Sequence, residues 1–438
     1  MKKLGTSMFL FAGLLLLSAP GASAATTLGP DWVAGDGVWV IDSGVCVCAA
    51  LDSTDPKHAW VNKNFGDNYT VRADVRIDTW KDGEDMSRAG ISVRIQPDVR
   101  DGVRDDGLNI LFHDSLGRAE LLNDMQSWGP AQEAFDWEVG TWYTMELTID
   151  GEWLTGSIVE KGGTEVYEMT PWDIVASGKF TREGGFPGLA GNSNGGGIVS
   201  FDNFQVIVDG EVVFEDNFET PGQPIETGLS SKWSVGDGVW VVHDGSLYCV
   251  SVNRTDPKHA WVAMDVGDDY AVQSDVRIDT WLDDNDYSRA GVSVRIQPDV
   301  RDGDRDDGLN LLFHHAMGRV ELLNDMQSWG PAQESFDWTT GTWYTLQVAM
   351  DEGFLIGTVN TQGGTGGLEM TPWDIPGSGK LTREGGYAGL AGNSEAYGIS
   401  AFDNFSIMVG GQTVFSDSFD EFVSPTATSG YEHYELYK

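Results

Sequence analysis

Cysteine is scarce in this chain of 438 residues: only Cys46, Cys48 and Cys249 are present. Three thiols exclude a disulfide framework, and no spacing among them suits a zinc site. Cys46 and Cys48 stand two apart, about 7 Å along a strand, which is poor disulfide geometry. Positive charge is also short. Lys and Arg total 27 against 68 Asp and Glu, a formal charge of −41. Phosphate backbones would be repelled, so nucleic acid is excluded as a partner. Long apolar runs are missing too, apart from Met8–Leu17, which is too short to span a bilayer comfortably. Helical periodicity is absent from every 12-residue window.

What is present is a duplication. DPKHAWV occupies Asp55–Val61 and again Asp256–Val262, 201 positions later. The same offset carries Arg76–Trp80 onto Arg277–Trp281, Val93–Gly102 onto Val294–Gly303, Leu121–Glu133 onto Leu322–Glu334 and Phe201–Phe204 onto Phe402–Phe405. A period of this length suits a whole domain, not a solenoid unit. Lys2-Lys3, the apolar stretch and Ala22-Ser23-Ala24 read as a cleaved leader over residues 1–24, so export as a soluble secreted product is expected, with no membrane insertion. Domain 1 is then expected over 25–219, domain 2 over 220–420 and a flexible tail over 421–438. Thr220–Pro224 reads as the linker. Val212–Phe218 recurs as Thr413–Phe419 and either closes one domain or opens the next.

Alternation dominates locally. Val71, Ala73, Val75 and Ile77 share one face of a strand, with Arg72, Asp74, Arg76 and Asp78 on the other. Ile91, Val93 and Ile95 alternate likewise with Ser92, Arg94 and Gln96. Gly-, Asp- and Asn-rich turns punctuate many such strands, which predicts an all-β chain: two tandem antiparallel β-sandwich (jelly-roll) domains.

The order of motifs resembles the concanavalin A-like lectin/glucanase superfamily, near its laminin-G-like and family 16 glucanase-like members. The resemblance rests on Gly35–Val40 and Gly236–Val241, Asp74–Arg76, Ala89–Arg94, Gly140–Tyr143, Gly188–Gly191 and Phe201–Phe204. It implies a two-sheet sandwich whose concave face receives glycans. It also implies a structural calcium ion, with Asp202 and Asp403 matching the ligating aspartate of the last strand. No organic cofactor is implied.

Three functional readings follow from the residues. A lectin-like protein binding poly- or oligosaccharide would use planar polar groups and indoles: Asp74, Arg76, Asp78, Arg94, Asn109 and His113 with Trp80 and Trp128. Their twins are Asp275, Arg277, Asp279, Arg295, Asn310 and His314 with Trp281 and Trp329. Trp137 and Trp172, with Trp338 and Trp373, are further candidate platforms. A glycoside hydrolase would use Glu120 with Asp124, and Glu321 with Asp325, with His58 or His113 as auxiliary acid or base; Leu122 breaks the family 16 pattern between them. A surface adhesion or matrix protein is the third. Asp302–Gly308 resembles an acidic calcium loop, though Val103 replaces Asp304 in its sister and the glycine is one place late, and it reads as a solvated acidic turn. Asn194–Gly196 against Glu395–Tyr397, Asp114 against His315, Phe186 against Tyr387 and Met86 against Tyr287 are where the halves are expected to differ in ligand preference.

Overall fold

A computed structural model describes residues 25–420 apart from 54–56, 81–86, 101–104, 114–116, 124–130, 178–183, 194, 255–257, 283–287, 302–305, 315–317, 325–331, 363–366 and 379–384. Each half is a sandwich of two antiparallel sheets. In the first half the strands run β1 Trp32–Ala34, β2 Val38–Asp42, β3 Val45–Ala50, β4 Lys57–Val61, β5 Tyr69–Thr79, β6 Arg88–Arg100, β7 Asp105–His113 and β8 Arg118–Asn123. They continue as β9 Ala131–Ala134, β10 Trp142–Asp150, β11 Trp153–Glu160, β12 Val166–Glu168, β13 Trp172–Asp173, β14 Phe186–Gly191, β15 Gly197–Val208 and β16 Glu211–Asp216. One sheet has seven strands in the order β1-β4-β14-β6-β7-β8-β9. The other has nine, built on β12-β11-β10-β5-β15-β3-β2, with β13 on β11 and β16 on β15. The second half repeats both orders. Val212–Phe214 therefore pairs back onto β15 of its own half.

Alternation sets what each face meets. Val71, Ala73, Val75 and Ile77 of β5 enter the core with Met145, Leu147 and Ile149 of β10, against Ile91, Leu108, Ile110 and Leu121 of the opposite sheet. Cys46 and Cys48 also point inward, buried and unbridged, and burial pushes the Cys48 thiol up to about 12. Gly191 lies against Cys48: a Cβ there would stand 2.3 Å from Sγ.

The outer faces of the two nine-stranded sheets pack on each other. Val40, Val47, Ala49 and Ile198 of the first half form one buried cluster with Val239, Tyr248, Val250, Val252, Ile399 and Ala401 of the second. Polar contacts around it come in related pairs. His243 Nε2 lies 3.2 Å from Asp52 Oδ2, and its mate under the 201 offset is Asp42 against Asn253. Residue 42 corresponds to 243 and residue 52 to 253, so the contact is approximately two-fold, as in an isologous dimer. Its exception is Tyr397, whose hydroxyl accepts a 2.6 Å bond from Arg76 Nη2. Gly196 stands at that place in the first half, and Arg277 turns instead to Tyr248 at 3.1 Å. The difference between Asn194–Gly196 and Glu395–Tyr397, expected to specify ligand, thus serves the domain contact at Tyr397.

Arg76 lies 4.5 Å from the Trp142 ring and donates through Nε to Asp78 at 2.5 Å. Burial pushes the Asp78 carboxyl up to about 6, against the pull of Arg76 and the Ser200 hydroxyl. An acid with a raised folded-state pKa keeps its proton in the folded chain where the unfolded chain has lost it. Its contribution to stability is therefore full below 3.8 and lost as pH rises through 6. Asp78→Asn is expected to be more stable than the wild type above pH 6, by up to about 3 kcal/mol. At pH 3.5 it should show no advantage. Urea titrations at the two pH values measure the difference, and an equal gain at both would refute a buried-charge origin.

Candidate functional site

The outer face of the seven-stranded sheet is built by the same alternation. Leu108, Ile110 and Phe112 of β7 enter the core, which turns Asn109, Leu111 and His113 outward. In β8, Ala119 and Leu121 go in, and Arg118, Glu120 and Leu122 go out. In β6, Ala89, Ile91 and Val93 go in, leaving Arg88 and Ser92 outside; in β4, Ala59 and Val61 leave His58 and Trp60. Register aligns these residues in three rows across the sheet. One runs Trp60, Gly188, Ser92, Asn109, Leu122. The next runs His58, Ala190, Gly90, Leu111, Glu120, Gln132, and the third Arg88, His113, Arg118.

Small residues in the two middle strands let side chains meet across them. His58 spans Ala190 and Gly90 to bring Nε2 within 3.1 Å of Asn109 Oδ1. The Ser92 hydroxyl donates to the same oxygen. Glu120, fully buried, receives Arg88 Nε on Oε2 at 3.0 Å and Arg118 Nε on Oε1 at 2.6 Å. His113 sits between these guanidiniums in the third row. Burial and the two positive charges push its pKa down to about 4, so the ring is neutral at pH 7. Its Nδ1 is buried without a hydrogen-bond partner. The second half repeats the arrangement: His259 to Asn310 at 3.1 Å, Ser293 to Asn310 at 2.5 Å, Arg289 to Glu321 at 3.0 Å and Arg319 paired with Glu321. Trp261 is the twin of Trp60 and is the more exposed of the two indoles.

The polar set expected on one surface is divided between opposite sheets. Asn109, His113 and Glu120, with Asn310, His314 and Glu321, lie on the seven-stranded sheet. Asp74, Arg76 and Asp78, with Asp275, Arg277 and Asp279, lie on the nine-stranded sheet. Strand parity tells which residues share a face of one strand, but not which sheet the strand joins. Arg94 leaves both groups. Its φ of 54° and the register shift after Val93 turn its side chain to the end of the sandwich, where Nη2 donates to Asp67 O at 3.1 Å. Arg295 does the same with Asp268 O.

Trp80 and Trp281 are buried in the cores, each 5.5 Å from a second indole, Trp137 and Trp338. Trp172 and Trp373 are core residues too. These rings are structural, because each fills a strand end between the sheets. Trp128, Asp124, Trp329 and Asp325 lie outside the described residues, as do Met86, Asp114, Tyr287, His315 and the acidic turn at Asp302–Arg305. Sequence reading missed Trp60, Arg88 and Arg118 as site residues. The signal was there for Trp60, which alternates with Ala59 and Val61 in both halves.

Asp202 faces outward on β15 beside Asp74 in register. Its carboxylate takes the Asn203 N–H at 2.7 Å, and Lys161 Nζ lies 2.7 Å from Asp74 and 3.7 Å from Asp202. An ammonium thus stands where a bound cation would. In the second half Gln362 and Asn404 donate to Asp275 at 2.8 and 2.9 Å, and Asn404 N donates to Asp403 at 2.6 Å. Calcium asks for six to eight oxygen ligands. The carboxylate of Asp202, with N–H donors on both oxygens and an ammonium alongside, does not fit that demand. Among the described residues one trio, Asp52, His243 and Asp244, comes within reach of a single ion, and Lys57 Nζ holds Asp52 at 2.8 Å.

No family model matches the chain, and no curated protein matches it. Solved structures are similar over single halves. A carbohydrate-binding module of Bacillus subtilis is 13% identical over 41% of this chain and 96% of its own, with a TM-score of 0.32. Winged bean acidic lectin complexed with methyl-α-D-galactose is 8% identical over 41% and 94%, with a TM-score of 0.31. A putative glycosyl hydrolase of Parabacteroides distasonis is 12% identical over 41% and 88%, with a TM-score of 0.27.

Proposed function

We propose that this chain binds carbohydrate on the outer face of the seven-stranded sheet of each domain. The observation that carries the reading is the twinned polar floor beside an indole. An outer sheet face that becomes buried is most cheaply filled with aliphatic side chains, since buried ion pairs seldom improve on apolar packing. Here the same face instead carries His, Trp, Arg, Ser, Asn, His, Arg and Glu, kept residue for residue in both halves and buried except for Arg118, Arg319 and Trp261, where a ligand would first meet it. Trp60 is 7% exposed, with Ile95 Cδ1 filling the space beside Gly188, and Trp261 is the more open of the two indoles. The charge of −41 favours neutral sugars over uronates or sulfated glycans.

Affinity electrophoresis of the mature protein through dextran, levan, laminarin, xyloglucan and galactomannan tests the proposal. At least one polymer should retard it, and Trp60→Ala with Trp261→Ala should abolish the shift. Trp261→Ala alone should cost more than Trp60→Ala, because its ring is the more exposed. Unchanged mobility in all five gels, joined by a blank glycan array, would remove the reading.

Hydrolysis has less support. Both oxygens of Glu120 are engaged by guanidiniums, so this carboxylate is not poised toward a glycosidic bond. Asp74 and Asp78, the other spaced pair, lie on the opposite sheet and are held by Thr144, Asn203, Lys161, Arg76 and Ser200.

A further inference from the structure

We infer that the chain cross-links separate carbohydrate strands, because its two sugar faces point in opposite directions. The inference rests on the proposed function and adds the geometry of valence. The domains meet through the outer faces of their nine-stranded sheets, in one apolar cluster with contributions from both. The pairing of His243 with Asp52 and of Asp42 with Asn253 makes the contact two-fold. A two-fold contact between two flat faces has its axis in the plane of contact, so whatever lies on the far side of one domain lies on the opposite far side of the other. The layers therefore run seven-stranded, nine-stranded, nine-stranded, seven-stranded. With packed sheets about 10 Å apart, the sugar faces are separated by about 30 Å of protein.

The contact is built to hold. Val47, Ala49, Val250, Ile399 and Ala401 are at most 3% exposed. Tyr397 ties Arg76 across the boundary, and Thr280 Oγ1 donates to Trp80 O at 3.3 Å. The linker is pinned as well. Thr27 N donates to Gln223 O at 2.8 Å, and Gln223 N to Thr27 Oγ1 at 2.9 Å. A flexible tandem could fold both sites onto one strand and gain affinity by chelation. A fixed back-to-back pair denies that route to a short oligosaccharide and leaves bridging between strands. Because the floors are the same in both domains, the bridged strands belong to one sugar class.

The test uses the full mature chain and beads coated with whichever of the five polymers retards it most. Wild type should aggregate the beads, and the soluble oligosaccharide of that polymer should disperse them. Trp60→Ala and Trp261→Ala should each keep binding at about half the stoichiometry while aggregation falls at least tenfold, with unchanged circular dichroism. Wild type that binds two oligosaccharides in solution without aggregating beads would overturn the inference and leave the proposed function standing. So would a single variant that aggregates as well as wild type. Failure to bind any polymer removes both.

Discussion

Glu120→Leu should lower the stability of the first domain by about 3–5 kcal/mol, the usual cost of removing one member of a buried ion pair. The carboxylate is 0% exposed and receives two guanidiniums, of which Arg88 is itself only 2% exposed. Leucine fills similar volume but takes away the carboxylate that receives Arg88 Nε at 3.0 Å inside the sheet face. Arg118 is less confined, with its side chain 19% exposed, and can turn to water. The double variant Arg88→Met, Glu120→Leu should therefore recover most of the loss, since it replaces a charged pair by apolar contact with Leu111, Leu122 and Ala190 on the same face. Urea unfolding of the wild type, both single variants and the double variant completes the cycle. A loss below 1 kcal/mol for Glu120→Leu would mean that the pair is not closed off from water. The double variant also separates two roles for the same residues: regained stability with lost sugar retention would show that the charges serve the ligand.

Much of this fold is legible in the residues. The 201-residue offset announces two siblings, and the period of two in Tyr69–Ile77 assigns Val71, Ala73, Val75 and Ile77 to the core where the structure has them. The site is less legible, for two physical reasons. Parity sorts side chains within a strand, whereas membership of a sheet is decided by long-range pairing. Asp74 and Asn109 read alike locally, yet β5 pairs with β10 and β15, and β7 with β6 and β8. Bulges add the second difficulty. The left-handed backbone at Arg94 resets the alternation after Val93, and nothing in Val93–Gln96 announces it. The indoles mislead for a related reason. Trp80 and Trp172 stand at strand ends, a position open to loops and core alike, and the aromatic partner Trp137 draws Trp80 inward.

Val250→Asp should part the two domains. Val250 is 0% exposed in the interdomain cluster, among Val47, Ala49, Tyr248 and Ile399. A carboxylate buried there without a partner costs several kcal/mol, and the chain can avoid that cost by opening the contact, which leaves each sandwich intact. Small-angle scattering should then show the radius of gyration rising from about 22 Å, the value for a compact chain of this length. The single thermal transition expected of a packed pair should split. Val250→Ala, which removes two methyl groups and adds no charge, should leave the shape unchanged. Sugar binding per domain should survive Val250→Asp, because the seven-stranded faces lie on the far sides of the sandwiches. Bead aggregation should weaken as the freed domains swing round to share one strand. If instead the variant stays compact with one transition, apolar burial between Val40, Val47, Ile198 and their partners is not what sets the back-to-back arrangement.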